Sequence, residues 1–147
     1  MKAQIIIATS AFVLMAVISS GAYIRFAPSD VARWHENPFQ AFDWNSSSEW
    51  GQVIAQSNGA VLRLPEQAGL LARLDAVAMA DPYTTRFAGG VDQGRITWVT
   101  RSALWGFPDY TTAQIEAGGL YIHARLRFGK SDFGVNSARL NDWLAKL

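Results

Sequence analysis

The strongest constraint on the fold is an alternation of apolar and polar side chains within the stretch Arg95–Asn136. Along residues 95–101, 110–116 and 120–128, successive side chains switch faces with the period of a half-buried β-strand. Turn-forming residues separate these segments, with residues 117–119 placed between the second and the third. The stretch therefore predicts an antiparallel β-meander that leads into a final helix.

The same alternation assigns side chains to the two faces of the predicted sheet. Arg125 and Arg127 fall together on the polar face, away from the core, with His123 beside them. A solvated face would pair these arginines with Glu116 or Asp109 across the strands. His123 is then an ordinary surface histidine whose protonation its positive neighbours disfavour.

An uncharged apolar run occupies residues 4–24 and is about as long as the roughly 20 residues that cross a bilayer as a helix. The run predicts a retained transmembrane signal anchor over residues 1–25 that contacts the lipid bilayer. A cleaved signal peptide is the alternative, because small residues at 19–22 would suit cleavage, although the run exceeds a typical signal core. An anchor followed by a large domain favours a single-pass protein of the bacterial inner membrane with its C-terminal domain in the periplasm.

Residues 26–59 are rich in aromatic and turn-forming side chains and form a predicted juxtamembrane arm. These aromatics either lie at the lipid head-group level or pack on the globular domain as a wrapped arm, and the second interpretation is favoured. Asp30 precedes a short segment that looks like a capped helical turn. His35 and Glu36 follow that turn, and an isolated pair of this kind indicates a structural role rather than acid–base catalysis.

Residues 60–147 form the predicted globular domain. Pro65 is placed to open a helix with an apolar stripe that ends near Asp81, and Asn136 or Ser137 is placed to cap the terminal helix. The prediction is an α+β fold: an antiparallel sheet of about five strands with two packed helices, preceded by one N-terminal transmembrane helix.

The connection Ser102–Asp109 is unusually apolar for a segment that normally runs through solvent. It would bind a hydrophobic ligand, dip into the bilayer, dock on a partner, or fold back to cap the core. The last interpretation is favoured, because Trp and Phe near turns usually become buried.

Composition excludes several classes of function. The net charge is +1, and without Lys2 and Arg25 the 13 basic residues fall to 11 against 12 acidic ones, so no nucleic acid is expected as a partner. The absence of cysteine excludes disulfides, thiol nucleophiles and cysteine-based zinc sites, and two histidines disfavour a multi-histidine metal site. No nucleophile elbow and no nucleotide loop opening a helix is present, so neither a cofactor nor enzymatic activity is expected.

Several polar and aromatic side chains near strand ends and turns are candidates for binding a ligand or a partner. Asp132 is also a candidate for a structural role, accepting hydrogen bonds from turn amides or pairing with an arginine at the strand end. The candidate binding residues are Arg101, Trp105, Phe107, Asp109, Arg125, Arg127, Asp132 and Asn136.

Two long segments, TRSALWGFPDYTTAQIE at residues 100–116 and LYIHARLRFGKSDFGVNSARLNDWLAKL at residues 120–147, carry a family resemblance. The chain resembles the family of domains of unknown function numbered 1499, whose bacterial members commonly combine a membrane segment, a linker like residues 27–38 and a turn like residues 131–136. In that family the strand-end tract often reads SRSR, whereas residues 124–127 here read ARLR, which keeps both arginines and loses the hydroxyls. The resemblance implies a fold and a location but no reaction.

The function predicted is that of a non-catalytic binding or accessory domain at the periplasmic membrane face, with an integral membrane protein as its possible partner. The first alternative is a binder of lipid or of a small hydrophobic anionic ligand, in which Arg101, Arg125 and Arg127 meet an anionic lipid head group and Trp105 and Phe107 meet the tails. A hydrolase-type enzyme is the less favoured alternative.

Overall fold

Helices and strands follow one another irregularly along the chain, as the predicted α+β class requires. The structure is a computed structural model that describes residues 2–44, 49–116 and 118–147. The helices in this part of the chain are α1 (Lys2–Phe26), α2 (Val31–Trp34), α3 (Pro38–Ala41), α4 (Leu70–Ala80) and α5 (Val135–Leu144), with a 3₁₀ turn at Val91–Gln93. The strands are β1 (Ile54–Gln56), β2 (Gly59–Pro65), β3 (Thr84–Gly90), β4 (Arg95–Arg101), β5 (Pro108–Glu116) and β6 (Gly119–Leu126).

All six strands of the described chain form one antiparallel sheet in the order β1-β2-β6-β5-β4-β3. The predicted meander is β4-β5-β6. Ile96 pairs with Ala113 and Ala113 with Ile122, so these three side chains lie on the same face of the sheet, as the alternation predicts. The α+β class is confirmed. The sheet has six strands rather than about five because β1 contributes three residues, too few for an alternation to be recognised in the sequence.

Helices α4 and α5 pack on one face of the sheet and form the main core with it. Trp98 of β4 meets Trp143 of α5 edge to face, with ring centroids 5.8 Å apart. Each indole N–H has an acceptor, because Trp98 donates to Asp75 at 2.9 Å and Trp143 to Asp81 at 3.0 Å. Two packed helices on an antiparallel sheet are the predicted arrangement, and the satisfied indoles allow these large rings to be buried without a polar penalty.

Two of the predicted helix starts are wrong. Pro65 does not open α4 but ends β2, where it pairs with Gly119, and a strand end tolerates its missing N–H. Helix α4 begins only at Leu70. Neither Asn136 nor Ser137 caps α5, because the helix has already begun at Val135.

The other face of the sheet is covered by the first part of the juxtamembrane arm. Trp34 stacks on Tyr110 at 4.2 Å between ring centroids, and Trp44 meets Tyr121 edge to face at 5.0 Å. Both tryptophans are buried, so the predicted wrapping of the arm on the domain is confirmed for them. Asp30 caps α2 as predicted, accepting a hydrogen bond from the backbone N–H two residues later.

Helix α1 projects from the domain with its apolar side chains exposed. At about 1.5 Å per residue its 25 residues extend for roughly 37 Å. The segment Gln4–Phe26 has a mean hydropathy of 2.1 and is long and apolar enough to cross a membrane. The end of α1 contacts the domain, since the Tyr23 ring lies 6.2 Å from that of Phe128, just beyond β6.

Candidate binding surface

The loop between β4 and β5 is closed by its own hydrogen bonds. The Ser102 N–H donates to the Phe107 carbonyl and the Gly106 N–H to the Ser102 carbonyl, both at 2.9 Å. The Phe107 N–H donates to the Ser102 hydroxyl at 2.9 Å, and the Arg101 guanidinium donates to the Gly106 carbonyl at 3.0 Å. Arg101 therefore stabilises the loop from the end of β4.

The apolar side chains of this loop are exposed, so the prediction that they cap the core is wrong. Leu104 is 81% exposed, Trp105 45% and Phe107 37%. Because the loop closes on itself between Ser102 and Phe107, it is too short to reach back over the core. Because the tip of the loop is exposed, the remaining interpretations of its apolar sequence are contacts with lipid, with a ligand or with a partner.

The loop and α1 together form an apolar groove of about 470 Å³. The two elements are in close contact, because a side chain added at Gly21 would approach the Trp105 ring to 3.2 Å. The groove is lined by Phe12, Val13, Ala16, Val17, Ser20, Gly21 and Ile24 of α1, and by Trp105 and Phe107 of the loop. This surface, defined by those nine residues, is called the α1–loop groove below.

Phe128 links the groove to the sheet. Its ring lies 6.3 Å from that of Phe107 and 6.2 Å from that of Tyr23, both in edge-to-face geometry. The Arg127 guanidinium lies 4.9 Å from the centre of the same ring. These contacts hold α1 against the end of the sheet from which the loop emerges.

Arg125 and Arg127 do not lie on a solvated sheet face, which corrects their predicted environment. Arg125 forms an ion pair with Glu36 at 2.8 Å and donates to the Trp34 carbonyl at 3.0 Å. Arg127 donates to three oxygens within residues 27–29, at 2.8 to 3.1 Å. Both arginines fasten the arm to the sheet, because their guanidinium donors match the carbonyls that an irregular segment leaves unpaired.

A polar pocket of about 310 Å³ remains beside these arginines. Arg33, Arg125 and Arg127 line it together with Glu36, which leaves an excess of positive charge. Arg33 lies over the Trp34 ring at 5.3 Å from its centre. This group is called the arginine pocket below. It lies close to the end of α1, since Arg127 contacts the residues that directly follow the helix.

Asp109, Asp132 and Asn136 come together under the start of α5. The Asp132 carboxylate accepts hydrogen bonds from the Gly134 and Asn136 N–H groups, both at 3.0 Å, so its predicted bonding to turn amides is seen. The Asn136 side chain donates to Asp109 at 3.3 Å, and Arg139 forms an ion pair with Asp109 at 3.4 Å.

These contacts are internal to the domain. Burial raises the pKa of Asp109, and the positive charge of Arg139 opposes the rise. Asp132 pairs with backbone amides rather than with Arg125 or Arg127. Asn136 is fully buried, so a ligand has no access to it. The cluster fastens the turn after β6 to the sheet and is separate from the exposed groove.

His123 is not a surface histidine, which is a further correction. Its Nδ1 atom is buried and has no hydrogen-bond partner within the described residues. Burial lowers the pKa of His123 to about 4, and the charge of Arg125 adds to the decrease. His35 has a structural contact as expected, with its Nδ1 2.8 Å from the Thr97 hydroxyl oxygen. Burial also lowers the pKa of His35, with a contribution from Arg95.

Sequence reasoning missed the part of the surface that α1 supplies. The helix was assigned only an anchoring role, although Gly21 is a small residue at which another segment can approach a helix closely. The alternation over residues 120–128 puts Phe128 on the face opposite Arg127, and this position does not reveal its contact with α1. Arg139 was missed too, although a position three residues after Asn136 lies on the same helix face.

A family model described as "Protein of unknown function (DUF1499)" matches residues 43–147, which is more than half of the chain. No curated protein and no solved structure matches the chain. The match begins after α1, α2 and α3 and includes the loop, β6 and the turn before α5.

Proposed function

Because this chain belongs to the DUF1499 family, whose description assigns no function, we propose from its geometry that it is a non-catalytic accessory domain anchored in the membrane. Its partner is an integral membrane protein, one apolar segment of which lies in the α1–loop groove. The domain stands on the periplasmic side of a bacterial inner membrane, and α1 crosses that membrane once.

The observation that carries the proposal is that both faces of the sheet are already covered. Helices α4 and α5 occupy one face, and the arm occupies much of the other through Trp34, Arg125 and Arg127. A partner therefore has no bare sheet face to bind. The α1–loop groove, in contrast, is apolar, exposed and formed by two elements in contact.

The chemistry of the groove favours a membrane-embedded segment. Its walls belong mainly to a helix whose side chains suit hydrocarbon, and Ser20 is a small residue among them. Helices associate in lipid through van der Waals packing and small residues rather than through a hydrophobic driving force. A rigid concave wall made by Trp105 and Phe107 supplies such packing.

The test is purification of the full-length protein from native membranes in mild detergent, with Trp105→Ala compared with Trp50→Ala. The two tryptophans are matched, because each is 45% exposed, but Trp50 lies over Arg63 away from the groove. A central aromatic contact is worth at least about 2 kcal/mol, which is roughly 30-fold in affinity.

We expect a stoichiometric membrane-protein companion with the unmodified chain and with Trp50→Ala, and its loss with Trp105→Ala. Thermal unfolding of both variants in detergent checks that the domain is still folded. Recovery of the chain without a protein companion, or equal recovery of the companion with both variants, would contradict the proposal.

A second candidate function, the binding of an anionic head group, is favoured by the arginine pocket. Three guanidinium groups against one carboxylate line a cavity close to the end of α1, where phosphate groups of lipids lie. The test is the amount of anionic phospholipid that copurifies with Arg33→Gln. The control is Arg73→Gln, because Arg73 is exposed on α4 outside this pocket.

A further inference from the structure

We propose that one end of the domain rests in the interface of the bilayer, so that the protein has a second lipid contact besides α1. This membrane-facing end is defined by Tyr83, Leu104, Trp105, Phe107 and Phe133. The contact goes beyond the proposed accessory role, because it needs lipid and no partner protein.

The depth of the loop relative to α1 is the first reason. Trp105 meets α1 at Gly21, within the apolar segment Gln4–Phe26 and five residues before the helix ends. At about 1.5 Å per residue this contact lies roughly 7 Å along the helix from its end. When α1 crosses a membrane, Trp105 is therefore at the level where its amphipathic ring is favoured, between head groups and acyl chains.

The hydrogen bonding of the loop is the second reason. A backbone that enters an apolar environment must satisfy its polar groups internally, because each unpaired group costs several kcal/mol there. The peptide N–H groups of Ser102, Gly106 and Phe107 all donate within the loop. The carbonyls of the same three residues accept from the loop or from Arg101. The peptide groups of the tip residues Ala103, Leu104 and Trp105 make no such bonds within the described part of the chain, and water in the bilayer interface can hydrate them.

The placement of exposed aromatic residues is the third reason. Tyr83 precedes β3 and Phe133 lies in the turn after β6, so both lie at the end of the sheet from which the loop emerges. Among the described residues other than glycine, these two alone have positive φ, at 64° and 53°. Such a backbone is strained for a bulky residue and is retained where the surroundings or a function require it. Phe133 is nevertheless 94% exposed, so it adds a large apolar side chain to the surface of this end.

Two exposed basic residues lie where an anionic membrane would attract them. Exposed Arg25 and Lys130 flank the membrane-facing end. Exposed Glu66 and Asp92 lie in the turns at the opposite end, next to the paired ends of β2 with β6 and of β3 with β4. Basic residues near a bilayer are attracted to anionic lipids, whereas acidic residues are repelled. Arg25 and Lys130 therefore favour the same orientation as the exposed aromatic residues, whereas exposed Asp30 at this end and exposed Arg73 at the opposite end do not contribute to it.

The test uses the absence of cysteine from the chain, which allows a single label to be attached without background. The full chain carrying Leu104→Cys, Phe133→Cys or Val91→Cys is labelled with an environment-sensitive fluorophore and reconstituted into lipid nanodiscs containing phosphatidylglycerol. Val91 is the matched control, because it is an exposed apolar residue at the opposite end of the sheet. Quenching is then measured with aqueous iodide and with lipids that carry a nitroxide on the acyl chain.

We expect the labels at positions 104 and 133 to emit at shorter wavelength, to be quenched by the nitroxide lipids and to be shielded from iodide. The label at position 91 should show the opposite behaviour. If position 104 or position 133 is quenched by iodide as position 91 is, the proposal is wrong. The nanodiscs contain no other protein, so this result is independent of whether a partner occupies the α1–loop groove.

Discussion

The pH dependence of folding should be dominated on its acidic side by His123. This histidine lies on β6 with a buried Nδ1 that has no partner among the described residues, and Arg125 is two positions away on the same face. Protonation would place a second positive charge in an environment that already holds a guanidinium. Burial, with Arg125 contributing, lowers the pKa of His123 to about 4, so the folded chain strongly prefers the neutral imidazole.

The magnitude follows from the difference between the folded and unfolded states. An unfolded histidine has a pKa of 6.5, and the folded value of about 4 is lower. At about 1.4 kcal/mol per pKa unit, the difference corresponds to roughly 3 kcal/mol. Because the folded pKa is depressed, this stability is fully present above pH 6.5 and is lost as the pH falls toward 4.

The assay is equilibrium unfolding of the full chain in detergent micelles between pH 4 and 7, compared with His123→Phe. The phenylalanine ring fills similar space but does not titrate. The difference between the two proteins in free energy of unfolding against pH therefore isolates the contribution of His123 protonation. We expect the unmodified chain to lose about 3 kcal/mol more than the variant on acidification. Parallel curves for the two proteins would refute the buried, neutral state of His123.

Three substitutions test other contacts by thermal unfolding of the full chain in detergent. Arg127→Ala removes the bonds to residues 27–29 and should cost about 2 kcal/mol, and faster amide exchange confined to the arm would identify the cause. Asp132→Ala leaves two amides without their acceptor and should cost about 2–3 kcal/mol while membrane association is unchanged. Gly59→Ala places a methyl group against the Ala124 carbonyl and should cost about 1–3 kcal/mol, because paired strands cannot separate locally. An unchanged unfolding temperature in any of the three would contradict the contact concerned.

The central sheet was predictable because its side chains follow a strict period of two. Ile96, Trp98 and Ile122 fall on the face that α4 and α5 cover, as the alternation predicted. The apolar α1 was equally evident, since a long run without charge has few other structures available. The alternation and the uncharged run are both patterns of neighbouring residues, so a single sequence is enough to detect them.

The environment of Arg125 and Arg127 was not predictable in the same way. Alternation identifies a polar face, but it does not say whether water or another part of the chain meets that face. Glu36 and the acceptor oxygens of residues 27–29 lie about 90 to 100 positions earlier in the sequence than these arginines. A contact over such a separation leaves no periodic signal. The same limitation applies to His123, which lies on that face.

Local rules also failed where the sheet competed with them. Pro65 would fit the first position of a helix. The pairing of β2 with β6 nevertheless extends through Pro65, so the register of the strands outweighs the preference of this proline for a helix start. In the loop, the usual tendency of Trp and Phe to be buried favoured a cap on the core, whereas Trp105 and Phe107 are exposed beside α1. The loop lies beside α1 rather than over the core because it closes on itself at Ser102. The composition of the segment does not reveal this closure.

The occupant of the α1–loop groove is tested most directly by photocrosslinking in native membranes. A photoreactive amino acid is placed at Val17, which lines the groove, or at Met15, which is exposed on α1 at a similar depth outside it. The account predicts a discrete protein adduct from position 17 and none from position 15. Lipid adducts alone from position 17, or the same protein adduct from both positions, would contradict the account.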